Sequence, residues 1–332
     1  RLVRKIKIFF RFIKNVLIAK RNIKYNGYKT SYFLLRFLYL ISNGLLLIII
    51  EKFIQKPVKM DKFKNGFKLE NKINKNRIQE IKKEIFKQNI ISNIDSHRDI
   101  PIKINSFTND FDYQYYKNKK IVRLSFKREE LIANKKISEF IIENDFSKII
   151  SNLIGQKVFL QAIDSWITLP IPEVKEVYEE MTKYEDTQNW HRDVDNLRDL
   201  KVFIYFSDTM NIQDGPFEII KNTNMFHFFN PLRYYDKIKL RVKNNFVQKK
   251  FKNQIITIKG ETGTVFIADT RALHRGRPIL KENKHRMVFQ LYYSTHAFGK
   301  DNKIELKENY ESYSLWQNYL KKNKHIALFD LK

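Results

Sequence analysis

Between residues 155 and 296 the chain is written in short runs of β-branched and aromatic residues, at 157–162, 200–206, 217–220, 246–258, 264–268 and 286–294. Turn signals such as Asp214-Gly215-Pro216 and Lys259-Gly260 separate them. That succession predicts an α+β fold with a mainly β core, an antiparallel double sheet of the jelly-roll, cupin-like kind (a double-stranded β-helix). Helical patterns at 74–91 and 128–152, the latter with Ile132, Ile137, Phe140, Ile141 and Ile149 to bury, supply flanking helices on the N-terminal side. A last helix over about 307–322 covers the sheet.

A chain of 332 residues accommodates one catalytic domain and an extension. Its 43% hydrophobic and 14% aromatic content is too apolar for a chain that stays unfolded. With no cysteine, a disulfide scaffold, thiolate metal ligands and a cysteine nucleophile are all excluded, so any metal must be held by histidine and carboxylate. The net charge of +27 is uneven: residues 1–60 hold fourteen Lys or Arg against the single acid Glu51. The excess elsewhere is diffuse and is broken by an acidic run from Glu173 through Asp186, which argues against a nucleic-acid groove.

Residues 1–20 read as a cationic amphipathic helix, with Leu2, Ile6, Phe9, Ile13 and Leu17 on one face and Arg4, Lys7, Arg11 and Lys14 on another, a pattern suited to an anionic membrane surface. Residues 32–50 are apolar apart from Arg36, Ser42 and Asn43. They suit a helix packed on the core, an interfacial anchor or a membrane span, and Arg36 and Asn43-Gly44 count against the span. The apolar stretch starts late and no small-residue site follows it, which argues against a cleaved signal peptide. Pro57 and Gly66 punctuate a polar stretch, placing a boundary near residue 60: an extension over 1–60 and a catalytic domain over 61–332 with its core at about 155–296. The expected location is cytoplasmic, with membrane association through residues 1–50.

His191-Arg192-Asp193 comes shortly before a strand, and residues two apart share one face there. His274 follows 81 residues after Asp193, just beyond the run 264–268. Two histidines and one carboxylate on one face of an octahedral ion leave three positions open, which is the ligand set of non-haem Fe(II) oxygenases. The open positions accept a 2-oxo acid and O2.

On these residues the stretch 155–296 resembles the phytanoyl-CoA dioxygenase-like family of 2-oxoglutarate oxygenases. The family pattern is H-x-D, a Gly-Pro followed by a strand, a distal His, and an Arg some ten residues later for the far carboxylate of 2-oxoglutarate. The counterparts are His191 and Asp193, Gly215-Pro216-Phe217, His274 and Arg286. A dicarboxylate gripped by iron at one end needs a cation at the other, and a guanidinium pairs two oxygens at once. Arg275 and Arg277 are rivals to Arg286, though they sit close to His274. Lys221-Asn222-Thr223-Asn224 replaces the Pro-Gly-Ser-His of many relatives. Related halogenating enzymes replace the metal carboxylate with a small residue, so Asp193 implies hydroxylation, with release of succinate and CO2.

A second His-Arg-Asp at His97-Arg98-Asp99 precedes Pro101 and lacks a spaced His and Arg. The tripeptide also opens a protein-kinase catalytic loop, but the Lys and Asn that should follow and a Gly-rich loop are absent. His227, His285, His296 and His325 read as ordinary surface or core histidines. Trp190 reads as a packing residue ahead of a substrate contact, and Lys201 as a solvated strand lysine ahead of a second cation pointing into the barrel near the co-substrate. Tyr205, on the same strand face, could hydrogen-bond either ligand. Two other function classes stay open at this level: a non-catalytic cupin-like metal or ligand-binding protein, and a membrane-surface module. The expected substrate is a small or lipid-linked molecule.

Overall fold

The computed structural model describes residues 65–92, 101–103, 123–155, 157–170, 188–193, 199–223, 242–281, 284–294, 304–322 and 329–331. The segment 1–60, its apolar stretch, and His97-Arg98-Asp99 lie outside the described residues. Among those that are described, no helix is long and apolar enough to cross a membrane.

The strands are β1 (Phe67–Leu69), β2 (Asn89–Ser92), β3 (Pro101–Lys103), β4 (Arg123–Phe126), β5 (Phe159–Thr168), β6 (Asp199–Tyr205), β7 (Phe217–Ile220), β8 (Ile255–Ile258), β9 (Val265–Ala268), β10 (His274–Gly276), β11 (Arg286–Ser294), β12 (Ile304–Leu306) and β13 (Phe329–Leu331). Eight of them form one sheet in the order β1-β9-β6-β11-β5-β4-β2-β3, and β10-β7-β8 form a second. Every pairing in both sheets is antiparallel. β12 and β13 pair parallel, apart from both. The core is thus jelly-roll-like, two antiparallel sheets packed face to face.

Among the described residues the helices are α1 (Lys75–Ile85), α2 (Arg128–Ala133), α3 (Lys135–Glu143), α4 (Ser147–Ile154), α5 (Asn244–Phe251) and α6 (Tyr313–Lys322). Local chemistry sets their ends. Asn74 accepts from the Asn76 amide at the start of α1, and Asn134 accepts from Ile137 to begin α3. Gly155, at φ 76°, closes α4 in the left-handed conformation. Asp145 accepts from the Ser147 amide ahead of α4 and also from the Tyr319 hydroxyl, which docks α6.

One face of the large sheet packs on helices. Val202 and Ile204 of β6, Val265 and Ile267 of β9, and Met287, Phe289 and Leu291 of β11 join Ile78, Ile81, Phe140, Ile150 and Trp316 in a single apolar cluster. Phe140 meets Phe206 and Phe289 edge-on at 5.9 and 5.7 Å. Each such buried side chain contributes about 1.5–3 kcal/mol through area removed from water.

The opposite face turns toward the small sheet through Trp166, Phe203, Tyr205, Phe266 and Val288, which meet Phe217, Ile219 and Ile258. The Tyr205 hydroxyl donates to the Ile258 carbonyl at 2.7 Å and accepts from the Phe217 amide at 3.0 Å, joining the two sheets. Burial pushes this phenol up to about 12.

Several boundaries differ from the sequence reading. Residues 246–258, expected as one strand, divide into α5, a 3-10 turn over Lys252–Gln254, and β8. Val247 and Phe251 lie four apart on one helical face while Lys249 and Lys250 turn outward, so helical periodicity wins over β propensity. The pattern at 74–91 ends as helix at Ile85 and resumes as β2, and α6 begins at Tyr313. The stretch 128–152 is three short helices broken at Asn134 and Asp145.

Candidate metal centre

Two segments that lie far apart in sequence run antiparallel beside the small sheet. The His191 and His274 amides and carbonyls exchange hydrogen bonds at 3.0 and 2.9 Å, and the Asp193 amide donates to the Thr270 carbonyl at 2.9 Å. That pairing sets His191, Asp193 and His274 side by side. Asp269, fully buried, accepts a forked pair from Arg271 and shapes the turn that presents Thr270.

Each imidazole is oriented by a carbonyl two residues upstream: His191 Nδ1 lies 2.7 Å from the Asn189 oxygen, and His274 Nδ1 lies 2.9 Å from the Ala272 oxygen. A carbonyl accepts only, so Nδ1 carries the proton and Nε2 presents its lone pair inward. His191 Nε2 stands 3.6 Å from Asp193 Oδ1, and His274 Nε2 stands 3.5 Å from Asp193 Oδ2. One ligand atom from each of the three residues lies within 4.8 Å of the others. Burial alone would raise the Asp193 carboxyl, but its neighbours, the Lys201 ammonium foremost, hold the group well below the usual carboxylate range. Two neutral nitrogen donors and one ionised oxygen donor fit a hard-to-borderline divalent ion.

The centre opens into a cavity of about 180 Å³ between the sheets. Phe203, Phe217 and Phe266 form one wall, with Phe217 stacked on the His274 ring at 5.5 Å. Arg286, the first residue of β11, lines the cavity and is buried, donating to Thr168 Oγ1 at 3.2 Å. A side chain on Gly276 would fall on this guanidinium, so only glycine leaves it room.

The rival arginines sit elsewhere. Arg275 Nε donates to Glu218 at 2.7 Å and Arg277 donates to the other oxygen of that buried carboxylate at 2.8 Å. Arg275 also lies 4.6 Å from the Trp190 ring, and neither arginine lines the cavity. Register explains the split: Arg275 pairs with Glu218, while His274 and Gly276, one residue to either side, face the other way.

Lys201 departs from its expected role as a solvated strand lysine. It is 7% exposed, lines the cavity and places Nζ 2.6 Å from Asp193 Oδ2, above the Tyr292 ring at 5.0 Å. The signal was in the strand, because Lys201 alternates with Phe203 and Tyr205. Tyr205 spends its hydroxyl on the two sheets, as described above. Trp190 is a packing residue, fully buried with its indole donating to Asn244. Arg123, Trp166 and Gln290 also line the cavity and were not singled out from the sequence. The variant loop after β7 has a clear job: Thr223 Oγ1 donates to the Ile220 carbonyl and accepts from the Leu273 amide, tying β7 to the residue before His274.

No protein-family model and no curated protein matches this chain. Solved structures similar to it include HygX from Streptomyces hygroscopicus with nickel and 2-oxoglutarate bound, at 12% identity and TM-score 0.47 over 76% of this chain and 92% of that one. AviO1 from Streptomyces viridochromogenes Tue57 is similar at 12% identity and TM-score 0.43, over 71% and 92%. SnoN, a non-haem α-ketoglutarate-dependent epimerase from nogalamycin biosynthesis, is similar at 10% identity and TM-score 0.44, over 71% and 80%.

Proposed function

We propose that this protein is an Fe(II)- and 2-oxoglutarate-dependent dioxygenase of the phytanoyl-CoA dioxygenase-like kind, built on a double-stranded β-helix and hydroxylating a small or lipid-linked substrate. The observation that carries the reading is the convergence of His191 Nε2, His274 Nε2 and an Asp193 oxygen at the head of a cavity that also holds Arg286. Iron bound there supplies activation of O2, one oxygen atom entering the substrate C–H bond and the other the succinate formed as 2-oxoglutarate loses CO2.

The chain's own residues have separate tasks. His191 and His274 present neutral nitrogens because backbone carbonyls hold their Nδ1 protons. Asp193 supplies the anionic ligand. Arg286 and the Thr168 hydroxyl offer donors to the far carboxylate of the co-substrate. Phe203, Phe217 and Phe266 keep water from the head of the cavity. The residues 1–50 are assigned, by their charge and apolar pattern, to a membrane surface.

The test is succinate release from 2-oxoglutarate by the full chain with Fe(II) and O2, which needs no prime substrate. Iron-dependent release that Asp193→Ala abolishes is the expected result. Wild-type protein that binds Fe(II) but shows no 2-oxoglutarate binding by calorimetry would overturn it in favour of a metal-binding protein without this reaction.

A further inference from the structure

The charges that line the cavity do not balance. Arg123, Lys201 and Arg286 contribute three cations, and Asp193 is the single carboxylate among the lining residues. A divalent metal and the doubly charged 2-oxoglutarate cancel each other, so their arrival leaves the excess in place. Asp164 does not remove it. Burial would raise this carboxyl, but Arg128, Arg123 and Lys201 together hold it below the usual range. Arg128 also gives it a forked pair at 2.7 and 3.1 Å, so counting both Asp164 and Arg128 adds one charge of each sign and the excess stands.

The surplus has an address. Arg123 of β4 and Arg286 of β11 flank Thr168 in register, yet their guanidinium groups part company. Arg286 donates to Thr168 and lies over Gly276. Arg123 turns the other way and lies 4.3 Å from the Trp166 ring, two residues back along β5, about 7 Å by strand rise. Trp166 is 7% exposed and lines the cavity, and its indole N–H has no acceptor among the described residues. Such a buried donor costs stability unless something accepts from it. Ser125, opposite Trp166 in register, likewise has a buried hydroxyl with no partner among the described residues. A guanidinium stacked on an indole, with that indole's N–H and a hydroxyl close by, presents donors to an oxyanion.

We propose that Arg123 and Trp166 form a second anion subsite, separate from the Arg286 grip, which holds a carboxylate or phosphate group of the substrate. The proposal rests on the dioxygenase reading for its chemistry, though its binding test does not. Its consequence is that the enzyme hydroxylates an anionic molecule.

The experiment uses the full chain loaded with Mn(II), which fills the metal site without turnover, and saturated with 2-oxoglutarate. Benzoate, phenyl phosphate and neutral benzamide are titrated by calorimetry and by tryptophan fluorescence. At least one of the two anions should bind saturably and benzamide at least tenfold more weakly, and the preferred anion tells carboxylate from phosphate. Arg123→Gln should weaken that anion at least tenfold while the 2-oxoglutarate dissociation constant stays within twofold. Trp166→Phe keeps the stacked ring, removes the N–H, and should weaken the anion about threefold. Arg123→Lys should recover part of the loss, and melting curves establish that each variant is folded. Anion binding unchanged in Arg123→Gln, or benzamide equal to benzoate, would overturn the proposal. So would a loss of 2-oxoglutarate affinity in Arg123→Gln as large as that in Arg286→Gln, since Arg123 would then belong to the co-substrate grip. If wild type fails to bind 2-oxoglutarate at all, the dioxygenase reading falls, and the same titrations on metal-free protein still decide the subsite.

Discussion

The two faces of the large sheet are made by the same strands and have opposite character. On β6, Val202 and Ile204 turn to the helices while Lys201, Phe203 and Tyr205 turn to the cavity. β11 divides in the same way, with Met287, Phe289 and Leu291 on one side and Arg286, Val288 and Gln290 on the other. On these two strands the helix side is apolar apart from the Tyr293 hydroxyl, which donates to Asp145, and the cavity side carries the charge. Stability and chemistry are thus one residue apart along each strand, and a substitution on one face should chiefly change that face's own property.

The hardest test of that separation is Phe289→Ala. This ring stacks on Phe206 at 5.5 Å and meets Phe140 edge-on, and its removal should cost about 3–5 kcal/mol in denaturant unfolding. Succinate release per folded molecule should stay within about twofold under conditions where the variant remains folded, and a much larger drop would break the comparison. Asp193→Ala strikes the cavity face instead. Loss of about 1000-fold in iron-dependent succinate release, or about 4 kcal/mol, is expected, with some loss of stability as well because the variant removes the carboxylate beside the buried Lys201 ammonium. Arg286→Gln should raise the KM for 2-oxoglutarate about 30-fold with a smaller effect on kcat, as fits the loss of charge-assisted hydrogen bonds. An unchanged KM would remove Arg286 from the co-substrate grip.

The smallest expected effect lies at the join between the faces. Burial, then Lys82 and Lys284, push the His285 imidazole down to about 4, whereas the unfolded chain titrates it near 6.5. The folded state therefore keeps it neutral while the unfolded state takes up a proton. This contribution is present in full above pH 6.5 and is lost as pH falls from 6.5 toward 4. His285→Gln should flatten the decline of stability over that window by about 1–2 kcal/mol, read from unfolding curves at pH 7, 6, 5 and 4.5. Identical slopes for the two proteins would show that His285 is not held neutral.

The strands legible in sequence were β-branched and aromatic runs set off by turn signals. β7 and β11 begin and end where their patterns do. The pairing of His191-Arg192-Asp193 with His274 was legible because the two segments border recognisable strands. β1, β2, β3, β4 and β10 were not: at three or four residues they are about as long as β7, but they carry fewer β-branched and aromatic residues. Arg123 went unseen for this reason, lying on β4. Lys201 as a cavity cation ranked second for another. A lysine on a strand reads as solvated until the partner sheet is known, and only the packing of β6 against β7 and β8 shows that its side is closed. Spacing favoured Arg286 over Arg275 and Arg277, which follow His274 too closely, but it did not show what occupies those two: Glu218, a residue whose face depends on the register of β7 with β10.

The Tyr205 hydroxyl, bonded to β7 and β8 at once, also acts as a gauge. The separation of the sheets at that point equals the reach of one tyrosine, anchored at both ends of its polar tip. Larger or smaller molecules cannot be admitted by letting the sheets breathe there without giving up two buried hydrogen bonds. Differences in what such a cavity accepts must therefore be written in the side chains that fill it, at positions such as Arg123, Trp166 and Gln290, while the frame around them stays constant.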